Sequence, residues 1–381
     1  MYRVISLVLM ITACWSHAQT GFVTSFGGNG VQDGIGAVAT AQGYLVVSRS
    51  HESPSGRPGI TLFQRTENGQ ASAEIELPLS GAVFPQAVAS DLAGGCFIAG
   101  SIIAPGMHEH DGLLIHLGPN GTVLWTSVPP VNGDELYLSV TGLPDGGAVV
   151  CGVVGTGTGH DGHMARFSGS GALLWSFSSA FPLDDELLGI TATTNALVAT
   201  GRQMNPGGTS DLLVIHVDLE AGSLNWSNSV GGPLNETGNA VVSTSDGTSI
   251  VAGTTNSYGP LSPSGTSLEH LFLVAFDQAG DTVWTAVHGD PLRNRTSGGM
   301  VLSPDGDLFV AGQRYMTGSS DAMVLRFTPL GELVWERVFD LGVQEQLKGI
   351  TALPDGFVST GGCLQDIGRQ VLLLRRDANG F

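Results

Sequence analysis

The chain has 381 residues, with 56 Gly, 18 Pro and 15 Lys+Arg against 34 Asp+Glu. Glycine is about twice as frequent as usual but lacks the three-residue period of collagen, and 42% hydrophobic residues leave enough apolar surface for a large core. A formal net charge of −19 takes nucleic acid and anionic lipid headgroups off the list of expected partners, because phosphate binding needs a basic surface.

In chain order, the first segment reads as an export signal. Arg3 is a short basic region, Val4 to Ile11 is an apolar run, and Ser16-His17-Ala18 fits a small-x-small cleavage site. The run is too short to cross a bilayer, and no later segment reaches 18 uninterrupted apolar residues. The expectation is a leader over residues 1–18 and a soluble mature chain from Gln19, secreted, periplasmic or held at the cell surface. Ile11-Thr12-Ala13-Cys14 also resembles a bacterial lipobox, so a lipid anchor at Cys14 stays open. Cys96, Cys151 and Cys363 remain, an odd number inside or beside apolar runs, which predicts free buried thiols.

From here the chain repeats. Trp125, Trp175, Trp226, Trp284 and Trp335 follow one another at 50, 51, 58 and 51 residues, each after a glycine turn such as Pro119-Asn120-Gly121 or Ala279-Gly280. The same turn recurs at Asn68-Gly69 and Asn379-Gly380, which makes seven units. Each unit carries an alternating strand, a tight turn such as Pro304-Asp305-Gly306, and a β-rich run ending in glycine. A third strand, often opened by aspartate (Asp111, Asp161, Asp211, Asp321), and the tryptophan strand complete it. Four short strands in about 50 residues describe a propeller blade. The seventh unit stops at Phe381 without a fourth strand, and Phe22 stands before Gly27 at the spacing that separates Trp226 from Gly231. The predicted fold is all-β: one domain over 19–381, a seven-bladed β-propeller whose ring is closed by an N-terminal strand, Gly21 to Phe26, on Val371 to Arg375.

The unit, as in Ser25-Phe26-Gly27-Gly28, Ser245-Asp246-Gly247, Val251-Ala252-Gly253, Asp321 and Val334-Trp335, resembles the secreted β-propeller repeats of bacteria and archaea. That resemblance spans essentially the whole mature chain. It implies the architecture and a secreted or surface location, and no activity, since members of the family are mostly uncharacterised.

Two constellations carry candidate chemistry. Five residues before the apolar residue taken to open the first strand stand Asp33, Glu135, Asp185, Glu236 and Glu345, with Val83 and Arg295 in the other two units. A connection at that point leads to the innermost strand, so the five carboxylates are expected near the axis. There they either form a ligand or Ca²⁺ site or cap their own turns through backbone N–H groups. His108-Glu109-His110-Asp111 and His160-Asp161-Gly162-His163 occupy equivalent loops in adjacent units, which makes His108, His110, His160 and His163 weak metal candidates or plain solvated residues. The Asp residues that open the third strands read as caps that accept main-chain N–H bonds.

No nucleophile elbow, zinc-protease motif or phosphate loop is present, and the single lysine, Lys348, has no motif around it. The reading is a monomeric, non-enzymatic scaffold that binds an extracellular glycan, protein or surface component through one face of the disc. No catalytic residue is assigned and no cofactor is required beyond the open Ca²⁺ question. The alternative is a polysaccharide hydrolase or lyase using a carboxylate pair such as Glu135 and Asp185. The fifth unit's insertion, Asn256 to Gly265, is placed on the face of the acidic connections.

Overall fold

The computed structural model describes residues 21–27, 31–51, 56–130, 133–156, 159–316, 318–342, 344–365 and 368–381. The expected leader, Cys14 and the cleavage point after Ala18 lie outside these residues. Seven antiparallel sheets of four strands each follow one another round a ring. Blades one to six cover 32–76, 82–127, 134–178, 185–230, 236–288 and 294–339. Blade seven takes three strands from 345–377 and its fourth from Phe22–Phe26. In that closure Phe22 lies opposite Arg375 and Phe26 opposite Val371, the pairing expected from the spacing.

Why the middle strands are apolar on both faces follows from this stacking. In blade five every residue of Ser249–Thr255 and His270–Phe276 is buried, whereas the outer strand Thr282–His288 alternates between exposed and half-buried. The core lies between blades: Phe97 and Leu114 of blade two pack with Tyr137, Val150 and Phe167 of blade three. At roughly 1.5–3 kcal/mol for each large side chain removed from water, these junctions supply the main stabilisation of the ring. Cys96, Cys151 and Cys363 are free and buried, as expected. Burial pushes the Cys96 thiol up to about 12.

Trp125, Trp175 and Trp226 of the fourth strands are each fixed to the next blade by two contacts. The indole N–H of Trp125 donates to the Gly169 carbonyl at 2.9 Å, that of Trp175 to Leu219 at 3.1 Å and that of Trp226 to Gln278 at 3.1 Å. The ring then covers the turn glycine of that next blade. A Cβ on Gly171, Gly222, Gly280 or Gly331 would lie 2.7 Å from Trp125, Trp175, Trp226 or Trp284 respectively. Phe22 makes the same contact on Gly69, also at 2.7 Å, so the ring-closing strand copies the tryptophan strand in packing as well as in pairing.

Every innermost strand carries a β-bulge at one equivalent place. The ladder slips between Gly34 and Gly36, Pro85 and Ala87, Tyr137 and Ser139, and Leu187 and Gly189 in blades one to four. It slips between Gly238 and Ala240, Ser297 and Gly299, and Leu347 and Gly349 in blades five to seven. A bulge leaves one residue unpaired and bends the strand. Here the skipped residues are Ile35, Gln86, Leu138, Leu188, Asn239, Gly298 and Lys348, and all of them line the axis.

The turn glycines give a direct test of the tryptophan contact. Gly280 and Gly306 share a φ of +89°, but nothing lies within 4 Å of a Cβ on Gly306. Gly306→Ala is expected to cost only the left-handed strain, about 1–2 kcal/mol. Gly280→Ala should cost a further ~1–3 kcal/mol of overpacking against Trp226, and that excess should shrink in a Trp226→Ala background. Equilibrium denaturant unfolding of the four proteins measures both terms.

Candidate functional site

The seven bulges enclose an axial cavity of about 220 Å³. Backbone and side chains from all seven inner strands line it, among them Gln86, Ser139, Asn239, Thr351 and Lys348. None of Asp33, Glu135, Asp185, Glu236 and Glu345 contributes to the lining. Lys348 is half-buried, and among the described residues no carboxylate closes an ion pair with it. Burial, together with the charges of Arg369 and Arg49, draws its ammonium below the ordinary lysine value, and Asp33 opposes that shift. Lys348 is therefore the one charged residue in the lining of the axis.

The acids occupy a different setting from the one the spacing suggested. Asp33, Glu135, Asp185, Glu236 and Glu345 lie inside the innermost strands, not in the connections before them. All five are at most 9% exposed. The bulge explains the difference, because it breaks the two-residue alternation and makes the strand look as though it opens later than it does. Blade one adds a slip of register. Gln32 takes the ladder place of Glu135, since Gln32 stands four residues before Gly36 as Glu135 stands four before Ser139, and Asp33 falls one residue further on.

Each acid has its own surroundings. Glu135 Oε1 meets His163 Nε2 at 3.0 Å, with Tyr137 stacked beside the imidazole. Asp185 Oδ1 accepts the Gly162 N–H at 2.6 Å and the Ser179 hydroxyl. Burial, with the Asp161 and Asp184 charges behind it, raises the Asp185 carboxyl. Glu236 accepts from Gly232 N–H at 2.7 Å, the Thr255 hydroxyl at 2.6 Å and Ser257 N–H at 3.2 Å. Asp33 is held by Arg369 and by His51 at 3.4 Å. Burial alone would raise its carboxyl, but the Lys348 and Arg369 charges and these hydrogen bonds outweigh it and lower it. Among the described residues the only three ligand-type side chains whose donor atoms lie within 4.8 Å of one another are Asp321, Asp340 and Glu345.

The histidines do not converge. His108 and His160 are exposed, His110 Nδ1 bonds Ser101 Oγ at 2.9 Å, and His163 is taken up by Glu135 and, through Nδ1, by Ser178 Oγ at 3.2 Å. Among the described residues the third-strand aspartates do not take the main-chain N–H groups expected of them. The residue just before the inner acid does so, from the next blade. Asp134 Oδ1 accepts His110 N–H at 2.7 Å, Asp184 accepts His160 at 3.2 Å, Asn235 accepts Ser210 at 3.1 Å and Asn294 accepts Glu269 at 2.8 Å. These clamps were missed in the sequence reading. Their signal is an Asp or Asn immediately before the acid position in Asp134-Glu135, Asp184-Asp185, Asn235-Glu236 and Asn294-Arg295. The insertion in blade five folds onto the same face, with Asn256 N–H on Asn235 O at 2.9 Å and Tyr258 OH on Gly231 O at 2.7 Å.

No family model matches the chain, and no curated protein matches it. Solved structures match in fold. The β-propeller domain of the Trilobed protease from Pyrococcus furiosus is 10% identical with a TM-score of 0.53, covering 91% of this chain and 94% of that one. YCF48 bound to D1 peptide is 12% identical with a TM-score of 0.52, covering 94% and 96%. Puromycin hydrolase is 15% identical with a TM-score of 0.53, and the match covers 89% of this chain but 51% of that one. At such identities the likeness speaks for a β-propeller alone. Among the described residues no helix is long and apolar enough to cross a membrane.

The blade-six exception at the acid position yields a pH prediction. Arg295 binds Glu336 at 2.9 Å and Asp290 at 3.5 Å, and His288 adds a contact to Glu336 at 3.3 Å. Burial pushes the Glu336 carboxyl up, but His288 and Arg295 outweigh it and bring it to about 2 from an ordinary 4.5. A depressed carboxyl stabilises the fold above its unfolded value and loses that contribution as pH falls from 4.5 through about 2. Arg295→Leu should move the Glu336 titration upward in a carboxyl NMR experiment, and the acid limb of the stability curve should flatten between those pH values.

Proposed function

We propose that the chain is a secreted, non-enzymatic β-propeller scaffold of the bacterial and archaeal repeat type, which binds an extracellular glycan, protein or surface component through the face where the inner strands begin. The observation that carries this reading is the axial cavity of about 220 Å³, into which the single lysine brings an ammonium that no carboxylate pairs among the described residues. Rigid blades hold the cavity, and the blade-five insertion packs on the blade-four-to-five connection at Gly231 and Asn235, an arrangement suited to recognition by loops on a fixed frame. In a chain with a net charge of −19, a lone cation on the axis selects for a ligand that presents a carboxylate, sulfate or strongly polar group. The buried carboxylates support binding better than hydrolysis. Glycosidase chemistry needs two carboxyl groups opposed across a substrate, whereas each of these acids lies in its own blade junction, outside the cavity lining.

A panel of neutral and acidic polysaccharides, screened for binding and for reducing-end release, tests the proposal. An acidic polysaccharide should bind, and Lys348→Ala should weaken it about tenfold or more, with no new chain ends formed. Turnover that disappears in Glu135→Gln and Asp185→Asn would overturn the scaffold reading, and binding indifferent to Lys348 would overturn the axial placement.

A further inference from the structure

Seen from one junction to the next, the acid position has a regular counterpart. Five residues before the third-strand residue that pairs with the tryptophan stand Asp111, Asp161, Asp211 and Asp321 in blades two, three, four and six. The inner strands of the blades that follow carry Glu135, Asp185, Glu236 and Glu345 at the acid position. At the other junctions the equivalent residues are Gly59 with Val83, His270 with Arg295, and Gln370 with Gln32. Four of the seven junctions thus pair a third-strand aspartate with a buried inner-strand acid by ladder position, and in two of them, Asp161 with Asp185 and Asp321 with Glu345, the charges act on each other.

Three of the four are compensated by protein groups on the inner acid: His163 on Glu135, Gly162 N–H and Ser179 on Asp185, and two N–H groups with Thr255 on Glu236. The fourth is not. Glu345 is 1% exposed, and neither of its carboxylate oxygens receives a hydrogen bond of ordinary geometry. Burial, followed by the Asp340 and Asp321 charges, raises its carboxyl, and the nearby Leu341 N–H offsets only part of this. Among the described residues this is the one junction where a third carboxylate, the exposed Asp340, brings its ligand atom within 4.8 Å of both others. Asp321 also holds Arg314 at 2.8 Å and Arg293 at 3.5 Å through Oδ2.

We propose that the junction of blades six and seven binds one Ca²⁺ through Glu345, Asp321 and Asp340. Two oxygens on a common Ca²⁺ are at most about 5 Å apart, which matches this spacing, and an all-oxygen, irregular set open to solvent on one side favours Ca²⁺ over Zn²⁺ or Mg²⁺. A cation there supplies the charge that His163 and the N–H donors supply at the other junctions. It ties the blade-seven connection, which carries Asp340, to the third strand of blade six next to the ring's closing blade.

Calorimetric titration of the full chain with CaCl₂ after chelator treatment tests the site, together with thermal unfolding in Ca²⁺ and in excess chelator. Wild type should bind one Ca²⁺ and melt higher with it. Asp340→Asn, an exposed change that leaves the fold intact, should weaken binding at least tenfold. Glu345→Gln should abolish the Ca²⁺ effect, yet melt at or above wild type in chelator, because it removes a buried uncompensated charge. Absence of Ca²⁺ binding by wild type, or binding unchanged in Asp340→Asn and Glu345→Gln, overturns the proposal. The junction would then be balanced by a proton on Glu345, read by NMR as a carboxyl that titrates above the ordinary glutamate range regardless of Ca²⁺.

Discussion

An aromatic ring laid over the turn glycine of the next blade fixes five of the seven junctions of the disc, and the rest of the ring is built on that contact. A blade alone has two apolar faces and no way to cover them, so its stability comes from its neighbours, and each neighbour must sit at one fixed rotation. The indole sets that rotation twice, by its N–H on a carbonyl and by its face on a glycine that admits no Cβ. Glycine is required there on two independent grounds. Gly171, Gly222 and Gly280 have φ of 83°, 65° and 89°, and each also lies directly under a ring. The strand that closes the circle obeys the same constraint with Phe22 over Gly69, although it comes from the opposite end of the chain.

Closure then dictates what happens at the centre. Seven strands converging on an axis crowd one another, and a bulge in each of them relieves the crowding and turns one extra residue inward. What the axis presents is therefore decided by seven single residues, from Ile35 to Lys348, and only the last of them is charged. The same bulges push the residues before them outward into the blade junctions, where Glu135, Asp185, Glu236 and Glu345 lie buried. Axis and junction are two consequences of one backbone irregularity.

That irregularity also separates what could be read in the sequence from what could not. Blade number, strand count and N-terminal closure were legible because tryptophan, glycine turns and short apolar runs recur at a period set by covalent distance. The placing of the acids was misread because it depended on an unbroken alternation, which the bulge interrupts without leaving a residue type of its own: the skipped positions hold Ile, Gln, Leu, Asn, Gly and Lys alike. In blade one even the count slipped, so that Asp33 stood in for Gln32. The clamps from Asp134, Asp184, Asn235 and Asn294 were printed beside the acids but looked like ordinary loop polarity, since their N–H partners are 24 or 25 residues away in the preceding blade.

The acid position is not a folding requirement. Val83 fills it in blade two and Arg295 in blade six, on the same backbone and at the same bulge. A buried carboxylate costs several kcal/mol unless something compensates it, so a chain that could use valine here and uses acids at four junctions incurs an expense that packing does not explain. The compensation takes three forms: an imidazole for Glu135, backbone and hydroxyl donors for Asp185 and Glu236, and close to nothing for Glu345. Equivalent places filled by glutamine, valine, arginine or an acid distinguish the junctions from one another in a repeat of similar units. Burial of the acids in the junctions also keeps carboxylates out of the axial lining, where Lys348 is the one charged residue.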